Sequence, residues 1–116
     1  MSLLSAGGQA GPFLAARFAG AGKSVAIIER HLFGGACTNT GCTPTKTLIA
    51  SARIAYDARH AHCYGIELPT ASVAVNMHPV QARKKRIVDA SKCGLEDWIR
   101  RTTSMSVKKY SAIFGN

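Results

Sequence analysis

The residues with the clearest chemical potential are two cysteines, Cys37 and Cys42, in a loop rich in Gly, Thr and Asn. Pro44 follows them, and proline is favoured in the first turn of a helix, so a helix is predicted to begin here with Thr43 or Cys42 as its cap. A thiolate at a helix N-terminus is stabilised by the helix dipole and by free backbone N–H groups, which lowers the thiol pKa. If the backbone is helical through both cysteines, the pair can approach to form a reversible disulfide. Lys46, one turn after Cys42, would add positive charge nearby.

The same cysteine spacing also permits a metal site, because cysteine pairs with two to four intervening residues ligate zinc. A four-ligand site would combine Cys37, Cys42, His62 and Cys63. The two halves of that set do not follow a zinc-finger spacing. A redox pair is therefore favoured, and we expect no bound metal. Binding of a soft metal by the two thiols alone stays open as an alternative.

A second candidate site is the glycine-rich segment near the start of the chain. Its register, Ala6-x-Gly8-x-x-Gly11, approximates the dinucleotide fingerprint G-x-G-x-x-G. Gly8 would let the backbone approach a pyrophosphate, and Gly11 would let a helix pack closely on a strand. Glu29, 18 positions after Gly11, is placed to bind a ribose hydroxyl. Arg30 beside it would lie against an adenine.

The elements that must position this segment follow the order strand, glycine turn, helix, strand. Met1–Ala6 predicts a weak strand with few strongly apolar residues. The helix that follows has a predicted apolar face made of Ala10, Phe13, Leu14, Phe18 and Ala21. Val25–Ile28 is a continuous apolar run, which is typical of a strand buried on both faces of a parallel sheet. The order is that of a βαβ unit.

Two longer helices and a strand are predicted in the rest of the chain. The first helix runs from Pro44 to about His62, and its predicted stripe is Leu48, Ala52, Ala55, Tyr56 and Arg59. A polar connection over Gly65–Asn76 leads to a second helix that opens at Pro79. The stripe of that helix is Val80, Lys84, Ile87, Val88, Ser91, Leu95, Trp98 and Ile99. Val107–Phe114 predicts a final strand, and no internal boundary divides residues 1–116 into two domains.

Composition narrows the function classes. The chain has 116 residues, 47% of them hydrophobic, which argues against wholesale disorder, and it has no apolar window long enough for a membrane span. Without an export signal in Ser2–Gly22, we expect a cytoplasmic protein with reduced thiols. The formal charge of +9 suits an anionic ligand or partner. A nucleic-acid patch made of Arg83–Arg86 together with Arg100, Arg101, Lys108 and Lys109 is the alternative, but no aromatic residues interleave it, so a solvated helix face is favoured.

The whole string around the cysteines is far more specific than their spacing. Residues 34–46 follow the pattern G-G-x-C-x-N-x-G-C-x-P-[ST]-K. This pattern resembles the active-site signature of the class I pyridine nucleotide–disulfide oxidoreductases, and its Pro-Thr-Lys-Thr-Leu ending is most similar to mercuric reductase-like members. Dihydrolipoamide dehydrogenase and glutathione reductase belong to the same family. The resemblance covers essentially the whole chain. It implies an α/β fold, namely the first part of a Rossmann-type FAD-binding domain.

The resemblance also implies roles for individual residues. Cys37 would be the interchange thiol, Cys42 the charge-transfer thiol, and the two would form a disulfide. Lys46 would sit by the flavin ring. The other residues implied to bind FAD are Gly8, Gly11, Glu29, Arg30, Gly34 and Gly35. In this family electrons pass from NAD(P)H to FAD, then to the disulfide, then to the substrate.

The chain departs from the family pattern in several places. Ala6 replaces the first fingerprint glycine, and Ala36 stands where the family usually has a threonine that reaches the FAD phosphate. Thr38 and Thr43 stand where branched aliphatic residues are commonest. Family members are several times longer, with an NAD(P)H domain and a dimerisation domain that supplies a His-Glu pair. We therefore expect an N-terminal portion of such an enzyme, inactive alone, whose full-length relatives are homodimers.

Overall fold

The computed structural model describes residues 2–4, 7–29, 31–69, 73–102 and 105–108. In chain order its elements are β1 (Ser2–Leu4), α1 (Ala10–Gly20), β2 (Val25–Ile28), α2 (Gly35–Asn39), α3 (Cys42–Arg59), a 3₁₀ helix (Ala61–Tyr64), α4 (Met77–Arg101) and β3 (Met105–Lys108). Among the described residues, none of the helices combines the length and the apolar character that a bilayer crossing requires.

The three strands form a parallel sheet with β2 in the centre. Ala26 of β2 pairs with Leu3 on one side and with Ser106 on the other. The burial of β2 on both faces explains its unbroken apolar sequence, because side chains on both sides of the pleat must avoid water. The βαβ unit is confirmed, and the fold is a partial Rossmann-type α/β domain. The described part of the predicted last strand is Val107–Lys108, and residues 109–116 lie outside the described residues.

The core lies where α1 and α4 meet β2, and its fully buried cluster is Ala15, Val25, Ile27, Phe33 and Ile99. The predicted face of α1 is wrong except at Phe18, which is half-buried and packs against the core. The buried residues of α1 are Gly11, Pro12, Ala15 and Ala19, whereas Phe13 is 58% exposed. Small residues let a helix axis approach a sheet closely, so the larger Phe13 side chain is turned to the flank of the helix. Phe13 packs there against Trp98, with ring centroids 5.3 Å apart.

The helices that follow differ from prediction at their ends and faces. The predicted loop over 31–43 contains the short helix α2. Helix α3 is preceded by Gly41 and has no side-chain cap, so the capping role predicted for Thr43 or Cys42 is wrong. Its buried residues are Pro44 and Thr47, whereas the predicted stripe residues Ala52 and Tyr56 are exposed.

Helix α4 begins at Met77, two residues before the predicted start, and the Asn76 side chain accepts a hydrogen bond from the His78 N–H at 3.0 Å. The end of its predicted stripe is confirmed at Ile99, which is 1% exposed. Trp98, predicted to be a core residue, is 38% exposed. Helix α4 packs against α3 and also against α2, so it supports both helices that carry the candidate cysteines.

Candidate redox site and dinucleotide cradle

The two candidate cysteines lie on consecutive helices. Cys37 is in the middle of α2, and Cys42 is the first residue of α3. The chain between them turns sharply, because the N–H groups of Thr40 and Gly41 both donate to the Ala36 carbonyl, at 2.9 and 2.6 Å. A Cβ on Gly41 would lie 3.1 Å from that carbonyl oxygen, so the turn leaves little room for a side chain. The condition of a helical backbone through both cysteines is not met, because the chain turns between α2 and α3.

The pKa of Cys37 depends on its partner Cys42. Cys37 is half-buried, Cys42 is exposed, and both are free thiols. The hydrogen bond between the two thiols raises the pKa of Cys37 above its ordinary value, and the Lys46 charge lowers this pKa without cancelling the rise. The expectation of a lowered pKa is therefore wrong for Cys37. The interaction with Cys42 favours the protonated form of Cys37 more than the positive charge of Lys46 opposes it.

The Asn39 side chain fixes the start of α2, the helix that carries Cys37. The Asn39 side chain donates from Nδ2 to the carbonyls of Phe33 and Gly35, at 3.0 and 2.8 Å. Gly34 and Gly35 have φ values of +93° and +58°, a region that favours glycine. A Cβ on Gly34 would lie 2.6 Å from the Cβ of Thr38, which is buried. The motif drew attention to Gly34 and Gly35, but the sequence analysis missed the role of Asn39.

The glycine turn at Gly7 and Gly8 is in contact with the redox loop, a name used here for residues 33–36, which lead to Cys37. The Gly34 N–H donates to the Gly7 carbonyl at 2.7 Å. A Cβ on Gly35 would lie 3.1 Å from the Gly8 Cα, whereas a Cβ on Gly8 would meet nothing within 4 Å. Two glycine backbones therefore lie side by side, and Gly8 borders open space. This arrangement leaves room for a ligand to approach the backbone at Gly8, as the fingerprint requires.

Gln9 links the same two segments through its side chain. Its Nε2 donates to the Gly34 carbonyl at 3.4 Å and to Thr38 Oγ1 at 3.2 Å. Gln9 is also the residue that precedes α1, yet it does not cap that helix, and the first turn of α1 contains no acidic residue. The N–H groups at the start of α1 therefore lack a side-chain cap, which suits an anion such as a pyrophosphate. Gly11 is buried in this first turn, as its predicted packing role requires.

Glu29 directly follows β2. Together with the glycine turn and the start of α1 it forms what we call the dinucleotide cradle. Its Oε2 accepts a hydrogen bond from the Gly7 N–H at 3.0 Å, and its Oε1 accepts one from the His31 N–H at 2.9 Å. Each carboxylate oxygen has two lone pairs, so Glu29 retains acceptor capacity for a ribose hydroxyl. The sequence analysis missed the contribution of Gly7, for which the only signal was its place beside Gly8. Ala6 and Arg30 lie outside the described residues.

These features fit a dinucleotide such as FAD. Open space at Gly8, an uncapped start of α1 and the anchored Glu29 carboxylate provide for a pyrophosphate and a ribose. The contact of the redox loop with the glycine turn places the cysteine pair beside this cradle. Lys46 lies one turn into α3, where its charge acts on Cys37. Of the predicted site residues, the structure thus brings together Gly8, Gly11, Glu29, Gly34, Gly35, Cys37, Cys42 and Lys46.

The four-ligand metal site is wrong. No group of three or more His, Cys, Asp or Glu residues in the described part of the chain is arranged to hold a metal. His62 and Cys63 lie beyond the far end of α3, which has 18 residues and is about 27 Å long. Cys63 and Cys93 are both exposed free thiols.

The basic run on α4 is not a uniform solvated face. Arg83 is half-buried and donates hydrogen bonds to α3. Lys85 forms an ion pair with Asp89 at 2.7 Å, and hydrogen bonding to that carboxylate raises the Lys85 pKa. Two of the four basic residues at positions 83–86 are thus engaged within the chain, which weakens the argument for nucleic-acid binding.

Comparison with known proteins points to one group of enzymes. No protein-family model matches the chain. A dihydrolipoyl dehydrogenase of Bacillus subtilis is 35% identical over 108 residues, which is 93% of this chain and 23% of that protein. A dihydrolipoyl dehydrogenase of Mycoplasma pneumoniae is 42% identical over 82 residues, which is 68% of this chain and 18% of that protein.

Solved structures agree with this likeness. The HOCl-induced flavoprotein disulfide reductase RclA from Escherichia coli matches 98% of this chain and 22% of its own, with a TM-score of 0.72 and 27% identity. A Cu(II) complex of the same reductase matches 92% of this chain and 21% of its own, with a TM-score of 0.67 and 27% identity. The chain spans less than a quarter of the length of these relatives. Both comparisons support the resemblance to the class I pyridine nucleotide–disulfide oxidoreductases.

Proposed function

We propose that this chain is the N-terminal, FAD- and redox-disulfide-bearing portion of an NAD(P)H-dependent flavoprotein disulfide oxidoreductase. The type would be that of mercuric reductase or dihydrolipoamide dehydrogenase, in the cytoplasm, with a homodimer as the full-length form. One observation carries the proposal: the Gly34 N–H donates to the Gly7 carbonyl at 2.7 Å, which joins the loop before Cys37 to the dinucleotide cradle. Electron transfer between a flavin and a cysteine pair requires such proximity.

The residues of the chain divide the work between binding and redox chemistry. The backbone at Gly8 and the start of α1 would hold the pyrophosphate, and Glu29 would hold the ribose. When bound, FAD would supply the electron pair that it takes as hydride from NAD(P)H. The disulfide between Cys37 and Cys42 would accept two electrons, its S–S bond would break, and the two cysteines would take up two protons in all to become thiols. The raised pKa of Cys37 favours retention of a proton on that sulfur.

The reduced pair would then pass its electrons to the substrate by thiol–disulfide exchange or to a soft metal ion such as Hg(II). In the exchange, a thiolate attacks the substrate disulfide, a mixed disulfide forms, and the second cysteine displaces the reduced substrate. We expect the isolated 116-residue chain not to reduce lipoamide, glutathione or Hg(II) with NAD(P)H. It spans less than a quarter of the relatives' length, and the hydride-donor site and the acid–base pair would lie in the remainder.

The proposal is tested by adding FAD to the purified chain and recording its visible spectrum before and after dithionite. We expect a bound flavin spectrum and, on reduction, a long-wavelength charge-transfer band that is lost in Cys42→Ser. Cys63→Ser is the matched control, because Cys63 is also an exposed thiol but lies beyond the far end of α3. Retention of no flavin by the wild-type chain would count against a functional cofactor site in this portion.

A second candidate function is a thiol module that binds a soft metal without flavin. It is favoured by the sharp turn at Gly41, which separates the helices that carry Cys37 and Cys42, and the related Escherichia coli reductase forms a Cu(II) complex. This alternative expects tight Hg(II) or Zn(II) binding in the absence of FAD, lost in Cys37→Ser. Flavin binding with a charge-transfer band would favour the oxidoreductase instead.

A further inference from the structure

Arg83 on α4 is half-buried, and its side chain connects α4 to α3, the helix that begins with Cys42. Arg83 donates from Nη1 to the Thr47 carbonyl at 3.0 Å and to Ser51 Oγ at 3.2 Å. Among the described residues the one ion pair joins Lys85 and Asp89, so Arg83 has no carboxylate partner there. A guanidinium that is half removed from water and bonded to another helix is a specific anchor between the two helices.

Two hydrogen bonds connect Arg83 to the first turn of α3, which begins with Cys42. Thr47, which is 7% exposed, donates from Oγ1 to the Thr43 carbonyl at 2.8 Å. Thr43 directly follows Cys42 in the first turn of α3. Arg83 therefore holds α3 at the turn that immediately supports Cys42.

The same helix α4 also contacts the helix of the other cysteine. Helix α2, which carries Cys37, packs on α4 as well as on α3. The relative position of the two cysteines therefore depends on how both helices rest on α4. Disulfide geometry is narrow, with Cα atoms about 4.4–6.8 Å apart, so a displacement of one helix by about 2–3 Å takes a pair of cysteines out of this range.

We infer that Arg83 is a positioning residue for the Cys37–Cys42 pair, because it fixes α3 on α4 where Cys42 can reach Cys37. The inference rests on the redox function proposed above. In the reaction that reports on it, glutathione disulfide oxidises the two thiols. One S–S bond forms between the cysteines, the glutathione S–S bond breaks, and two molecules of glutathione carry away the two electrons and two protons.

The experiment measures the equilibrium constant of this reaction in glutathione buffers, with free thiols trapped by alkylation and counted by mass. Cys63 and Cys93 are first replaced by serine, because both are exposed and would react. We expect Arg83→Met to lower the equilibrium constant for disulfide formation by about threefold or more. The matched control is Arg86→Met, an exposed position on the same helix, which should leave the constant unchanged.

Two further variants separate positioning from a general loss of stability. Arg83→Lys keeps the charge but loses the fork that reaches two acceptors, and Ser51→Ala removes one acceptor with little change in volume. Both should lower the constant, and the effect of Ser51→Ala should shrink when Arg83 is already lysine. A merely structural role would lower the urea midpoint of the oxidised and reduced forms equally and leave the constant unchanged.

The outcomes discriminate clearly. A wild-type constant that Arg83→Met, Arg83→Lys and Ser51→Ala all leave unchanged overturns the positioning role while the proposed function stands. Failure of the wild-type chain to form the disulfide at any glutathione ratio overturns both. If Arg83→Met does not fold, Arg83→Lys and Ser51→Ala decide the question alone.

Discussion

The Gly7 backbone N–H donates a hydrogen bond to Glu29 Oε2 at 3.0 Å, and a Cβ on Gly7 would lie 2.5 Å from that oxygen. The carboxylate proposed to hold the ribose thus also holds the glycine turn. Gly7 is required because the Glu29 side chain fills the space where its own side chain would be. The neighbouring Gly8 has nothing within 4 Å of the same position. The two adjacent glycines therefore serve different purposes, one for the fold and one for a ligand.

This difference predicts opposite effects of two alanine substitutions. Gly7→Ala should lower the free energy of unfolding by about 1–3 kcal/mol, because Glu29 must move and its hydrogen bonds are strained. Gly8→Ala should leave that free energy nearly unchanged but weaken flavin binding, because its Cβ occupies the ligand side. Urea denaturation without FAD and flavin titration measure the two effects. Equal destabilisation by both variants would contradict the assignment.

Gly34 is expected to be the least replaceable glycine of the redox loop. Gly34→Ala should cost at least about 2 kcal/mol, because φ is +93° and the new Cβ would lie 2.6 Å from the Thr38 Cβ. Gly22→Ala is the matched control, since φ is +74° but the space is open, and it should cost only about 1 kcal/mol. Thermal and urea unfolding compare the two. A cost for Gly34→Ala no larger than that for Gly22→Ala would show that contact with Thr38 does not matter.

The Asn39 side chain donates hydrogen bonds, whereas the Asn76 side chain accepts one. Substitution by aspartate distinguishes these two roles, because an ionised carboxylate can accept a hydrogen bond but cannot donate one. Asn39→Asp should lower the free energy of unfolding by about 2 kcal/mol at neutral pH, because a carboxylate would face the carbonyls of Phe33 and Gly35. The pKa of this new carboxyl should be raised, so part of the stability returns as the pH falls and the acid can donate again. Asn76→Asp should be neutral or stabilising, because it still accepts from the His78 N–H. Urea unfolding at pH 7 and pH 4 would reveal both effects, and equal behaviour of the two variants would contradict them.

The reactivity of Cys37 should depend on Cys42 and Lys46 in opposite ways. Hydrogen bonding to Cys42 raises the pKa of Cys37, so its alkylation should need a higher pH than that of an ordinary cysteine. Cys42→Ala should shift the pH midpoint of alkylation downward. Lys46→Met should shift it upward, because the Lys46 charge lowers this pKa, and Lys46→Arg should leave it near the wild-type value. These shifts are tested by measuring iodoacetamide alkylation rates between pH 6 and pH 11, in a background with Cys63 and Cys93 replaced by serine. A downward shift of the pH midpoint in Lys46→Met would contradict the prediction.

Several features of the fold follow from local sequence. The strand at Val25–Ile28 was predictable because a short run of four apolar residues, three of them β-branched, is typical of a strand buried on both faces. The turn at Gly22 and the helix opened by Asn76 follow from residues with strong local conformational preferences. By contrast, the buried face of α1 was mispredicted. Apolar periodicity favoured Phe13, but close packing on the sheet selected Gly11, Ala15 and Ala19.

For the site, the sequence by itself determined the chemical groups: two thiols with four residues between them, a glycine-rich turn, and an acid after the second strand. Only the tertiary structure decided how they meet. A sharp turn at Gly41, rather than a continuous helix, joins the thiols, and the contact between Gly34 and Gly7 places them beside the cradle. Arg83 is the clearest case, since its sequence neighbours indicate a solvated basic face, yet its partners lie 32 and 36 residues away. Residue types and spacing fix local preferences, whereas such long-range contacts depend on how helices pack, which no local pattern encodes.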